Sequence, residues 1–190
     1  MKKYFSQFGE DEWIDKNLKP DIGFFLDVGA SDGIVFSNTL YFELAGWKGL
    51  CIEPNPRSFL VASFIRDNLI QKCVGLENKQ VSYYQDLGEN DLSGLKKYPN
   101  REYRELKVEM IRLDRVIKLY DIKKIDLLSI DTEGTELDVL KSFDIKAVPP
   151  RIIIIEHFSQ RNENQYLKDF FKDLPYKLVH ETRANSIYSL

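Results

Sequence analysis

Residues 24–33 read FFLDVGASDG, an apolar run that ends in an aspartate and breaks at once into a glycine-bearing turn. A parallel β-strand that stops in this way presents backbone amides to a ligand at its carboxyl end. Gly29 and Gly33 permit backbone conformations and close approaches that a Cβ blocks, and Ala30 and Ser31 keep the turn small. Three apolar segments end in carboxylates, Asp27, Glu53 and Asp131, and a fourth ends in the pair Glu156 and His157. As strands of one parallel sheet, these segments bring their polar ends to one edge, where they line one cleft. The chemistry on offer is the binding of a nucleotide-like cofactor beside a group of proton acceptors.

The turn is spaced DxGxSxG, which differs from the GxGxxG of dinucleotide binders, and no GxxxxGKS/T phosphate loop occurs in the chain. It fits the (D/E)xGxGxG loop of S-adenosylmethionine enzymes, with Ser31 in the place of the middle glycine. The plainer alternative is an ordinary strand followed by a tight turn. Glu53 ends the next apolar segment, where an acid accepts hydrogen bonds from both hydroxyls of an adenosine ribose. Its alternative role is to cap a helix that begins at Asn55.

Alternating elements must hold these groups in place. SNTLYFELAG (residues 37–46) carries a helix with a capping residue before it and a glycine at its end. KGLCIEP (48–54) is a strand stopped by Pro54, NPRSFLVASFIRDN a second helix, QKCVGL (71–76) a third strand, and KQVSYYQD an additional strand. Residues 87–105 combine glycines, asparagines, a proline and charges without periodicity, the mark of a mobile loop able to form part of a substrate lid. KVEMIRL follows as an extended segment, DRVIKLYDI as a short helix, IDLLSIDTEG (125–134) as a buried strand and TELDVLKSF as a helix. The four consecutive isoleucines of RIIIIEHF suit a central parallel strand covered on both faces. Residues 162–173 form an amphipathic helix, and YKLVHET with NSIYSL forms a hairpin turned at Arg183 and Ala184. The fold class predicted is α/β, a mostly parallel sheet with helices on both faces.

At 190 residues, with 43% hydrophobic and 13% aromatic side chains, the chain has the makings of one domain with a sizeable core. We take residues 1–190 as that domain and residues 1–21 as an N-terminal cap segment. A formal charge of -3 and a pI near 5.5 leave no broad basic surface, which argues against nucleic acid as a partner. No apolar run approaches the length of a membrane span and no signal core follows the N-terminal lysines, so a cytoplasmic location is expected. Cys51 and Cys73 lie in apolar segments and are expected to be buried free thiols. A homo-oligomer is compatible with the sequence.

Taken together, FFLDVGASDGIVFSNTLYFELAGWKGLCIEPNP, IDLLSIDTEGTELDVLKSF and RIIIIEH resemble the FkbM family of S-adenosylmethionine-dependent methyltransferases, over most of residues 4–158. SQFGED near the N-terminus is similar to a block found ahead of the core in many relatives. The resemblance implies a Rossmann-like class I methyltransferase fold, a seven-stranded sheet closed by an antiparallel C-terminal hairpin. It implies O-methylation of a small hydroxylated acceptor, a sugar, a sugar-containing molecule or a natural product. It places the methionine part of S-adenosylmethionine at Asp27, Gly29, Ala30, Ser31 and Gly33, the ribose at Glu53 and the adenine near Val74. Asp32 and Asn38 would add polar contacts close to the turn. Gln7 would cover the cofactor, unless SQFGED is simply the start of a helix.

Methyl transfer to an aliphatic hydroxyl needs a proton acceptor within hydrogen-bond reach of the attacking oxygen. His157, beside Glu156, is the first candidate because its ordinary pKa suits that duty near neutral pH. Asp131 and Glu133 are the second candidates, or they hold and orient the acceptor or the cofactor's amino group. Their alternative role is to cap the helix of residues 135–143. His180, in the hairpin, is expected to be structural, and Tyr98 and Tyr103 either stack on a sugar face or pack. No spacing demands a metal, so none is assigned. The competing function classes are an NAD-dependent oxidoreductase on a Rossmann sheet and a non-catalytic cofactor-binding module.

Overall fold

The structure, a computed structural model, describes residues 3–88, 92–157 and 163–190. Its strands are β1 (Phe24–Val28), β2 (Lys48–Ile52), β3 (Leu69–Ile70), β4 (Cys73–Val74), β5 (Lys79–Asp86), β6 (Tyr103–Ile111), β7 (Leu127–Ile130), β8 (Ile152–Glu156), β9 (Lys177–Glu181) and β10 (Asn185–Ser189). Its helices are α1 (Glu10–Asn17), α2 (Leu40–Leu44), α3 (Pro56–Ala62), α4 (Leu113–Leu119), α5 (Glu136–Lys141) and α6 (Glu163–Phe171). Seven strands make one sheet in the order β3-β2-β1-β7-β8-β10-β9, parallel except for β10, which runs antiparallel to β8 and β9. This is the α/β sheet with a closing hairpin that the sequence implies.

The short apolar strands β1, β7 and β8 are continuous runs because helices cover both of their faces. On one face Leu26, Ile130, Ile153 and Ile155 pack with Val116 of α4, Val139 and Leu140 of α5 and Phe171 of α6. On the other, Phe25, Leu127, Ile152 and Ile154 pack with Ile14 of α1 and Phe42 of α2. Each such side chain, fully buried, stabilises the fold by about 1.5–3 kcal/mol.

Register fixes the working edge. Val28 pairs with both Ile52 and Ile130, and Ile130 pairs with Ile155. The next residue along each strand therefore falls in one row: Glu53, Gly29, Asp131 and Glu156. Asn185 extends it, because it faces Glu156 across the antiparallel β8–β10 pair.

Two expectations need correction. QKCVGL is not the third strand of the main sheet: Leu69 and Ile70 take that edge, beside Cys51 and Ile52, while Cys73 and Val74 pair with Met110 and Ile111 in a second sheet ordered β4-β6-β5. The chain changes sheets within a few residues because an edge strand needs little pairing and β6 offers an open neighbour. The segment of residues 87–105 is also shorter than expected, since Tyr103–Ile111 is β6, paired from Asp86↔Tyr103 onward. Residues 89–91 lie outside the described residues. Beyond them the segment is pinned, with Gly94 and Tyr84 exchanging two backbone hydrogen bonds of 2.8 and 3.1 Å. Cys51 and Cys73 are buried free thiols, and burial pushes both well above the ordinary thiol range.

SQFGED is both a helix start and a clip. Asp11 accepts hydrogen bonds from the amides of Phe5 (2.7 Å) and Ser6 (3.3 Å) and from the Ser6 hydroxyl (2.6 Å), folding the segment onto α1. Glu10 accepts from Thr182 Oγ1 and Asn185 Nδ2, both at 2.8 Å, which ties the N-terminal segment to the hairpin. His180 stacks on Trp13 at 4.5 Å, a packing role. Burial raises the Glu10 pKa, but the bonds from Asn185, Thr182 and local amides outweigh it and hold the carboxyl below its ordinary 4.5. Its stabilisation is therefore present above pH 4.5 and lost as pH falls through the lower folded value. Glu10→Ala is expected to cost about 2–3 kcal/mol in urea denaturation at neutral pH, and the gap from the unsubstituted chain should shrink below pH 4.

Candidate active site

The turn after β1 is built by close contacts. Gly29 has φ 85°, and a Cβ there would lie 1.6 Å from the Asp131 carbonyl oxygen, so only glycine fits. Gly33 also has positive φ, 78°, and a Cβ would press on Arg66 and Ala62. Ser31 adopts φ 48°, a left-handed conformation that costs a side-chain-bearing residue about 1–2 kcal/mol. That conformation is why a glycine suits this position. Asp32 Oδ1 accepts from the amides of Ile34 (2.9 Å) and Val35 (2.8 Å), so it shapes the next bend of the loop.

Beneath the turn lies Arg66, which is 5% exposed. Its guanidinium bonds the Gly33 carbonyl oxygen (3.2 Å), the Ser37 hydroxyl (3.1 Å), the Thr39 hydroxyl (2.7 Å) and the Glu43 carboxylate, and it stands 3.8 Å from Asp27. Burial raises the Asp27 pKa, with Arg66 and bonds from Thr39 and Ser129 opposing the shift. Asp27 thus holds the turn to α2 as well as bordering the cleft. Nothing in the local sequence marks Arg66, because its partners come from three other segments.

Glu53 is 4% exposed, and its carboxylate receives two amides: Ser31 N–H at 2.8 Å and Asn55 N–H at 2.7 Å. The helix cap itself falls to Asn55, whose Oδ1 accepts from Arg57 N–H at 3.1 Å. Asn55 Oδ1 also accepts from Gln85, and its Nδ2 donates to Ser93, tying the second sheet to this corner.

Across the turn, oxygens of Asp131, Glu133 and Glu156 all lie within 4.8 Å of one another. Asp131 and Glu156 are hydrogen-bonded to each other. Burial raises both carboxyls, and for Glu156 the facing charges of Asp131, Glu133 and Glu136 add to the rise. Among the described residues no side chain caps α5, and Glu136 instead pins the loop ahead of it, its Oε1 accepting from Thr132 N–H (2.9 Å), Thr132 Oγ1 (3.0 Å) and Gly134 N–H (3.0 Å). Asp131 and Glu133 border the cleft instead.

The cleft has a volume of about 600 Å³, within the range of small-molecule sites. Gln7, Asp27, Gly29, Ala30, Ser31, Asp32, Asn38, Glu53, Val74, Asp131, Glu133 and Glu156 line it; Gly33 supports the turn from behind. His157 does not line it. Successive strand residues point to opposite faces, so Glu156 shares the cleft side with Ile152 and Ile154 while His157 continues the side of Ile153 and Ile155. The imidazole is 4% exposed, with both ring nitrogens buried and without hydrogen-bond partners among the described residues. Tyr98 and Tyr103 pack: Tyr103 Oη accepts from Tyr98 N–H, and Tyr98 Oη donates to the Glu133 carbonyl oxygen. The sequence reading missed Arg66 and also Asn185, which lines the cleft opposite Glu156.

A family model described as the methyltransferase FkbM domain matches residues 27–182. The chain belongs to the FkbM methyltransferase family. It is thereby an S-adenosylmethionine-dependent methyltransferase, on the seven-stranded sheet described above. Among curated proteins no sequence match is found. Two solved structures are similar to this FkbM domain. Precorrin 8W decarboxylase from Methanobacterium thermoautotrophicum has a TM-score of 0.49 at 16% identity, covering 95% of this chain and 88% of that one. Precorrin-6y C5,15-methyltransferase from Geobacter metallireducens GS-15 has a TM-score of 0.48 at 12% identity, covering 90% and 80%. No helix among the described residues is long and apolar enough to cross a membrane.

The buried guanidinium gives a direct test of how the FkbM turn is held. Arg66→Met leaves Asp27 and Glu43 buried without their counter-charge, and the expected loss in denaturant unfolding is about 3–5 kcal/mol. Arg66→Lys should recover only part of it, since one ammonium cannot replace the planar fork that reaches Gly33, Ser37, Thr39 and Glu43 together.

Proposed function

We propose that the protein is an O-methyltransferase that moves the methyl group of S-adenosylmethionine to a hydroxyl of a small acceptor, a sugar, a sugar-containing molecule or a natural product. The observation that carries this reading is the Glu53 carboxylate, fixed by the Ser31 and Asn55 amides at the level of a turn whose Gly29 admits no side chain. That arrangement suits a ribose diol on Glu53 and a methionine tail along Gly29, Ala30 and Ser31, with Val74 beside the adenine. Asp32 and Gly33 keep the loop in shape, and Gln7 closes the wall. Asn38, whose Nδ2 donates to Ser129 at 3.2 Å, keeps on the cleft wall a buried Oδ1 that has no partner among the described residues, an acceptor for an amino group of the cofactor.

The cofactor supplies an electrophilic methyl group and leaves as a neutral thioether. The chain's own residues hold the acceptor oxygen in line with that methyl and take its proton, since approach geometry is the larger share of such a displacement. Asp131 is assigned the proton, with Glu133 beside it orienting the acceptor. His157 is passed over because it lies on the other face of the sheet.

Calorimetry with S-adenosylhomocysteine should show one site, and Glu53→Ala should weaken it about 10–100-fold, the loss of one or two hydrogen bonds to a charged group. Asp131→Asn should leave that affinity near the unsubstituted value and lower methyl transfer about 10²–10⁴-fold. No binding to the unsubstituted chain would overturn the cofactor assignment, and unchanged turnover in Asp131→Asn would remove its role.

A further inference from the structure

The carboxylates of Asp131 and Glu133 come from the loop between β7 and α5 and that of Glu156 from the end of β8, yet their oxygens meet within 4.8 Å. Ligand oxygens on opposite sides of one divalent cation, at 2.1–2.5 Å from it, are separated by about 4–5 Å, so this spread fits a single ion. Asp131 and Glu156 share a hydrogen bond, and the charges around the pair, from Glu133, Glu136, Asp27 and Glu10, are all negative.

A second observation lies across the strand pair. Asn185 stands directly opposite Glu156 in the β8–β10 register, which puts their Cβ atoms about 4.5–5.5 Å apart on the same face. It is 5% exposed, lines the same cleft, and its Nδ2 is committed to Glu10 at 2.8 Å. Among the described residues its buried Oδ1 accepts no hydrogen bond, and the buried Oε2 of Glu156 likewise has no partner. A buried carboxamide oxygen without a donor costs about 1–3 kcal/mol, and here it sits at the rim of a three-carboxylate cluster.

We propose that Asp131, Glu133, Glu156 and the Asn185 carboxamide oxygen form a binding site for one divalent, oxygen-seeking cation of the Mg²⁺, Mn²⁺ or Ca²⁺ class. The donor set is all oxygen and lacks sulfur and imidazole, which favours these hard ions over zinc or copper. The ion offsets the repulsion of the three acids and gives the Asn185 oxygen its missing partner. The site borders the cleft, so the open coordination positions face the space an acceptor hydroxyl would enter. Binding of the ion itself does not depend on what the acceptor is.

The test uses the full chain without cofactor and Mn²⁺ alone as probe, followed by electron paramagnetic resonance, with Mg²⁺ and Ca²⁺ as competitors. One site per chain is expected, at least tenfold weaker in Glu133→Gln and in Glu156→Gln, and unchanged in Glu77→Gln, an exposed acid outside the cleft lining. Both amide variants remove repulsion, so they should melt no lower than the unsubstituted chain without metal. The rise in melting temperature that millimolar Mg²⁺ gives the unsubstituted chain should vanish in them. No Mn²⁺ binding at millimolar concentration, or binding that all three variants keep equally, would overturn the proposal.

Discussion

The site depends first on a cation that never meets the solvent. Arg66 lies under the glycine turn and bonds the carbonyl oxygen of Gly33, two hydroxyls of the segment that follows, and the Glu43 carboxylate of α2. Asp27, at the end of β1, is within reach of the same guanidinium. An arginine serves here because its planar fork addresses several acceptors at once and stays charged when buried. With turn, helix and strand end locked to one group, the amide of Ser31 is held on the Glu53 carboxylate by the chain's own bonds. The strained φ of Ser31 is tolerated for the same reason, since a conformation costing about 1–2 kcal/mol persists only when its surroundings fix it.

The second constraint is register. Parallel pairing places Glu53, Gly29, Asp131 and Glu156 in one row at the carboxyl edge, and the antiparallel return of β10 adds Asn185. Asp131 and Glu156 are thereby buried side by side, where burial raises the proton affinity of both and the charges of Asp131, Glu133 and Glu136 add to the rise at Glu156. Clustered acids of this kind are unfavourable for folding and mark places kept for chemistry or for a cation. The N-terminal segment completes the enclosure, with Glu10 holding Asn185 and Thr182 while Gln7 reaches the cleft wall.

Much of this was legible because the signal is local. An apolar run that stops in Asp27 before glycines, or in Glu53 before a proline, states a strand, its end and its direction within a few residues. The same holds for Asp131 after LLSI and for the hairpin after α6. What stayed hidden depends on long-range pairing. Arg66 draws its partners from β1, the following loop and α2, and Asn185 matters only through its pairing with Glu156. QKCVGL reads as one strand because the sequence cannot show that two sheets compete for its backbone. His157 was misplaced by a different rule: it is next to Glu156 in the chain, and the pleat sends it to the opposite face.

Under the proposed function, the row from Glu53 to Glu156 is the axis along which cofactor and acceptor meet. A crystal structure with S-adenosylhomocysteine bound addresses it most directly. The expected result is both ribose hydroxyls within hydrogen-bond distance of Glu53, with the sulfur turned toward Asp131 and Glu156. An adenosine seated away from Glu53, or a sulfur directed to the face that holds His157, would contradict it.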